Sequence, residues 1–245
     1  MRMIVSVALL CASSLAAEND AVARLLNSKG TVSQRADACF ELRGEKSPAV
    51  AAAMRKVLEV NSLRACAGRN LREAGALAEL KDALADENPD VRAIAARELG
   101  TFGRPDLLDA LSKAAWDPNM MVSTSAMQGL AEYQIPAVVP YLIDLAKSGG
   151  MVGAMALRRA AQFKDPAVLP VARQLLGGNE ATARLDAIRV LADLGGASDV
   201  DALQKIAERN EQLSVTGRGF GMMPGVDLSK AAANAVESIK ARATR

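Results

Sequence analysis

The stretch Asp90-Val91-Arg92-Ala93-Ile94-Ala95-Ala96-Arg97-Glu98-Leu99-Gly100-Thr101-Phe102-Gly103, followed by Arg104-Pro105-Asp106-Leu107-Leu108, decides the fold. Val91, Ala95, Leu99 and Phe102 recur at three- and four-residue intervals, which lines them up as one apolar stripe on an α-helix. Gly103 ends such a helix by accepting the left-handed conformation. Pro105 opens the next one, because the first helical turn has no use for the N–H that proline lacks. The stretch therefore predicts a hairpin of two helices, over 90–102 and 105–116.

Working outward, the same register returns on both sides. Leu63-Arg64 leads to Ala67, Gly68, Leu71, Ala74 and Gly75, and Val122 leads to Ala126, Met127, Leu130 and Tyr133. Val152 with Ala156, Leu157, Ala160 and Phe163, and Ala183-Arg184 with Ala187, Ile188, Leu191, Leu194 and Gly195, repeat it again. Pro48-Ala49-Val50, Pro136-Ala137-Val138 and Pro166-Ala167-Val168 open the second helices. The period is about thirty residues, within the range that marks a stacked array. Helices are expected at 20–27, 32–43, 48–59, 62–74, 76–85, 90–102, 105–116, 120–133, 136–147, 151–163, 166–176, 180–194, 199–209 and 227–242, with no strand.

Composition agrees. Half of the 245 residues are hydrophobic but only 3% are aromatic, and a core dominated by Ala and Leu suits closely packed helices better than a sheet. Thirty basic residues face 28 acidic ones, interspersed through the chain. No basic stripe of the kind that binds phosphate backbones is present, so no nucleic-acid partner is expected. Histidine is absent. That excludes Ser-His-Asp and Cys-His catalysis and His-based zinc sites. Three scattered cysteines without a CxxC cannot make an all-cysteine metal site. The chain is expected to hold no metal or cofactor and to be no enzyme.

The first residues, Met1 to Asp20, place Arg2 before an apolar run from Met3 to Ala12, then Ser14-Leu15-Ala16. This is the pattern of a secretory leader over 1–17, cleaved near Ala16/Ala17, with the mature chain periplasmic or secreted. The run is about half the length that spans a bilayer, so no membrane span is expected in the mature chain. Cys39 and Cys66 then remain as an even pair. They are either a disulfide, as an oxidising compartment permits, or two small side chains packed between helices.

The pattern Asp90-Val91-Arg92-x-x-Ala95-Ala96-x-x-Leu99 with Gly103 and Pro105 resembles the HEAT repeat, in particular the short bacterial form related to phycobilisome-lyase repeats. The resemblance runs over residues 31–210. It implies an all-α, right-handed α-solenoid of about six stacked hairpins. This solenoid would occupy 18–245, with a Gly- and Met-rich insertion loop at 210–226 and a capping helix at 227–243. It further implies a monomeric scaffold that binds an unidentified protein or peptide. A bilin-type chromophore lyase or isomerase is the alternative.

In such arrays the second helices line a concave binding face. The candidates there are Asp109, Lys113, Trp116, Tyr141, Asp144, Arg173, Gln174 and Lys205. Their mixed signs suit a polypeptide. Trp116, the only tryptophan, is either a binding anchor or a cover for the core. Arg35, Arg64, Arg92 and Arg184 share one repeat position and are read mainly as bridges to the adjacent repeat rather than as a ligand ladder. Arg218, Phe220, Met222 and Met223 sit in a segment that breaks the period, where they would contact a partner, cap the array or belong to a linker.

Overall fold

The computed structural model describes residues 16–209, 212–213 and 226–244. Helix α1 covers 16–26. It is followed by α2 (Val32–Glu41), α3 (Pro48–Val57), α4 (Asn61–Ala74), α5 (Leu77–Ala83), α6 (Pro89–Gly100), α7 (Leu108–Ala114) and α8 (Met120–Ala131). The chain continues through α9 (Val139–Ala146), α10 (Gly150–Gln162), α11 (Leu169–Leu176), α12 (Ala181–Leu194), α13 (Ala197–Glu208) and α14 (Leu228–Ala243). It divides into two compact units, one ending at Tyr133 and the other beginning at Gln134.

The helix boundaries follow local chemistry. Asn88 and Asn119 cap α6 and α8 with side-chain oxygens that accept backbone N–H bonds, and Thr31 and Gln34 close a capping box on α2. Gly75 and Gly103 adopt φ of +72° and +61° after α4 and α6, the left-handed stop that the sequence anticipates. The proline-led openings differ from expectation. Pro105–Leu107, Pro136–Val138 and Pro166–Val168 are single 3₁₀ turns that lead into α7, α9 and α11. Proline fixes the φ of such a turn as well as it fixes that of an α-helix.

In the first unit α2, α4, α6 and α8 stack successively, while α3 packs on α4 and α5, α5 on α6, and α7 on α8. The apolar stripes meet between these layers, where Leu42, Met54, Leu63, Leu71, Leu99, Leu111 and Met127 are essentially solvent-free. Each large aliphatic side chain so buried contributes about 1.5–3 kcal/mol. Tyr133 is also enclosed, and its hydroxyl donates to the Arg104 carbonyl oxygen at 2.9 Å. The tightest approach joins α6 to α8. A Cβ on Gly100 would lie 2.2 Å from the Gly129 α-carbon, so the two backbones touch because neither residue has a side chain.

In the second unit α9 packs on α10, α11 on α12, and α14 closes the end against both α12 and α13. The expectation of no strand needs correcting. Gln212–Leu213 pairs antiparallel with Val226–Asp227, in the register Gln212 to Asp227 and Leu213 to Val226. The pairing is too short to carry a period-2 signature. Asp227 then caps α14 through the Lys230 N–H.

Candidate functional site

The shared arginine position bridges successive turns of the array. Arg35 Nε donates to the Leu25 carbonyl at 2.8 Å. Arg64 Nε donates to the Leu58 carbonyl and Nη1 to Asp90 Oδ2, both at 2.8 Å. Arg92 reaches back to the Asp86 carbonyl at 2.9 Å and forward to both Asp117 oxygens, at 2.8 and 3.0 Å. Each of these guanidiniums donates to backbone carbonyl or carboxylate oxygens at a helix junction, which is a structural duty. The bonds from Arg92 hold the Asp117 carboxyl below its usual pKa.

The second helices present the side chains expected of them. On α7, Asp109 and Lys113 are exposed, and Trp116 just beyond it is 51% exposed. Trp116 therefore gives only part of its surface to the core. The Lys113 side chain makes no hydrogen bond or ion pair among the described residues. In the second unit Tyr141 is half-buried, and Asp144 pairs locally with Lys147 at 3.2 Å. Arg218, Phe220, Met222 and Met223 lie outside the described residues.

The second unit also gathers several candidates around one groove. An opening of about 680 Å³ runs along α11 and α13, with Arg173, Asp201 and Lys205 on its walls and Leu176 and Ile206 below. Arg173 is not a simple recognition group. Its Nε and Nη2 donate to the two oxygens of Asp199, at 2.7 and 3.2 Å. Asp199 is nearly solvent-free and also accepts the Gly196 N–H at 2.9 Å, so its carboxyl sits below the ordinary range, chiefly through the Arg173 bonds. The groove further contains Arg184 and Arg209. Sequence reasoning assigned Arg184 to the bridging set and passed over Arg209, which follows the last turn of α13. Gln174 is exposed but does not line this groove.

A second groove, of about 260 Å³, opens on the first helices of the first unit, between α2 and α4. Cys39 and Cys66 line it and are joined as a disulfide with their α-carbons 6.5 Å apart. Asn70 Nδ2 donates to the Cys39 carbonyl at 2.8 Å behind them. Phe40 and Arg69 border the same groove. Neither was a candidate, because attention to the second helices left this face out.

Among the described residues, no group of three acidic or cysteine side chains is placed to hold a metal ion, and no helix is long and apolar enough to cross a membrane.

No curated protein matches the sequence. Similar solved structures include human deoxyhypusine hydroxylase in complex with glycerol, 17% identical over 94% of this chain and 99% of that one, TM-score 0.40. The complex of CpcE and CpcF of phycocyanin lyase from Nostoc sp. PCC7120 is 20% identical over 91% of this chain and 94% of that one, TM-score 0.43. A computationally designed armadillo repeat protein for modular peptide recognition is 17% identical over 82% of this chain and 98% of that one, TM-score 0.45. Residues 77–152, from α5 into α10, match the family described as HEAT repeats. Over that stretch, where the helices pair in register, the chain is similar to HEAT repeats.

Proposed function

We propose that the chain is a non-catalytic, exported scaffold that holds a protein or peptide partner on the exposed faces of its second helices. The observation that carries this reading is the open groove along α11 and α13. Lys205 and Asp201 offer charges of both signs above the apolar Leu176 and Ile206. Polypeptides present such a mixture, with side chains to seat and backbone and charged groups to pair at the rim. Half-exposed Trp116 beside unpaired Lys113 on the first unit adds a residue type that is enriched where binding energy concentrates. Export rests on the leader-like residues 1–17 and accords with the Cys39–Cys66 disulfide.

A photo-crosslinking amino acid placed at Lys205, and separately at Trp116, tests the binding face in living cells. A discrete polypeptide adduct at these positions, lost when Lys205→Glu and Asp201→Lys are combined in a folded variant, is expected. Adducts confined to other faces would sink the reading. N-terminal sequencing of the protein from the cell envelope should begin near Ala17; an intact Met1 terminus on cytoplasmic protein would remove export.

A further inference from the structure

The repeat register puts Phe40 of α2 at the position held by Arg69 in α4, Arg97 in α6 and Gln128 in α8. The later helices use a polar side chain there because the position faces water. Phe40 faces water too, at 62% exposure. Leaving such a ring largely uncovered forgoes most of the free energy that its burial would give.

Phe40 stands beside the groove between α2 and α4. Ala36, Ala65 and Leu63 line that groove, and the Cys39–Cys66 disulfide ties its two sides together. Its lining includes two cations and no carboxylate. The cations differ. Arg43 is committed to Glu73 through two bonds of 2.9 and 3.0 Å. Arg69 is exposed and its side chain makes no hydrogen bond or ion pair among the described residues. The groove is thus an apolar slot with one unneutralised guanidinium at its edge.

We propose that this groove docks an acidic segment of a partner polypeptide, with a large apolar side chain seated against Phe40 and a neighbouring carboxylate paired with Arg69. Charge selects that occupant. A basic segment would be repelled, and a purely apolar one would desolvate Arg69 without giving it a counter-charge. The disulfide fixes the spacing of α2 and α4 before binding, so little ordering cost falls on the complex. This face belongs to the first helices of the first unit, whereas the proposed scaffold function uses second helices, and the two are tested separately.

The test titrates the full chain into a fluorescein-labelled peptide of repeating Asp-Phe-Asp-Leu, followed by anisotropy, with repeating Lys-Phe-Lys-Leu as its counterpart. Saturable binding of the acidic peptide alone is expected, weakened about tenfold or more by Arg69→Glu, the loss of one charge-assisted pair. Phe40→Ser should weaken it similarly, and Lys240→Glu on α14 should leave it unchanged. Circular dichroism and melting confirm that each variant is folded. Equal binding of both peptides, no saturable binding, or indifference to Arg69→Glu would overturn the proposal. So would a wild-type dimer in sedimentation that Phe40→Ser dissolves, since a second copy would then be the occupant.

Discussion

The described residues of the two units are built on one helical register, yet the first secures it with two devices that the second does not show among its described residues. The first unit brings α6 and α8 into backbone contact at Gly100 and Gly129 and ties α2 to α4 by a disulfide. The second unit relies on buried carboxylates, a device the first also uses at Glu98, 4% exposed and paired with Arg72 and Arg97. Asp186, 3% exposed, receives Arg158 and Arg189, and Asp199, also 3% exposed, receives Arg173. Its glycines at 177, 178, 195 and 196 lie in links between helices rather than at a helix-helix contact. One pattern of apolar stripes therefore carries buried ion pairs in both units, and the first adds locks that answer to redox state and backbone packing.

That contrast can be broken experimentally. Reduction of the disulfide should have the largest effect. With the cysteines 27 positions apart in the sequence, chain entropy predicts a loss of about 3.5 kcal/mol. Urea unfolding followed by hydrogen exchange should place that loss in peptides from the first unit, with those from the second nearly unchanged. Gly100→Ala comes next, at about 2–3 kcal/mol, because its methyl would meet backbone rather than a side chain able to move. Gly177→Ala in the second unit is the control. There the nearest atom is a carbonyl oxygen at 3.6 Å, so a gain of about 0.5 kcal/mol from a less flexible unfolded chain is expected in the same urea series.

The smallest of the destabilising effects concerns acid. The folded Asp199 carboxyl titrates below its unfolded value. Its contribution is therefore complete above the ordinary carboxylate pKa of about 3.9 and is lost as pH falls through and below it. Asp199→Asn should cost about 1–2 kcal/mol at pH 7 and progressively less toward pH 3, with exchange protection falling in the second unit. A variant equally destabilised at both pH values would show that the pair matters for packing alone.

Much of this architecture was legible beforehand. Stripes such as Val91, Ala95 and Leu99 define a helix by spacing alone, and Gly75 and Gly103 could be read as stops because only glycine is at ease at positive φ. Contacts between elements were not legible. Gly100 and Gly129 look like weak points within helices until the two backbones are stacked. The Arg173 partner lies 26 residues away at the start of α13, beyond any local pattern. Phe40 was visible as the one aromatic residue at a polar register position, but placing the binding face on the second helices by analogy drew attention elsewhere.

The two-residue pairing of Gln212–Leu213 with Val226–Asp227 has a practical side. It brings the ends of the intervening segment side by side, while α14 is held independently by α12, α13 and the Asp227 cap. The pairing works as a built-in insertion port. A reporter domain whose own termini are adjacent can replace residues 214–225 without pulling on the helices, as can an epitope or an affinity handle. The chain thus offers a point of attachment in its interior, leaving both ends untouched.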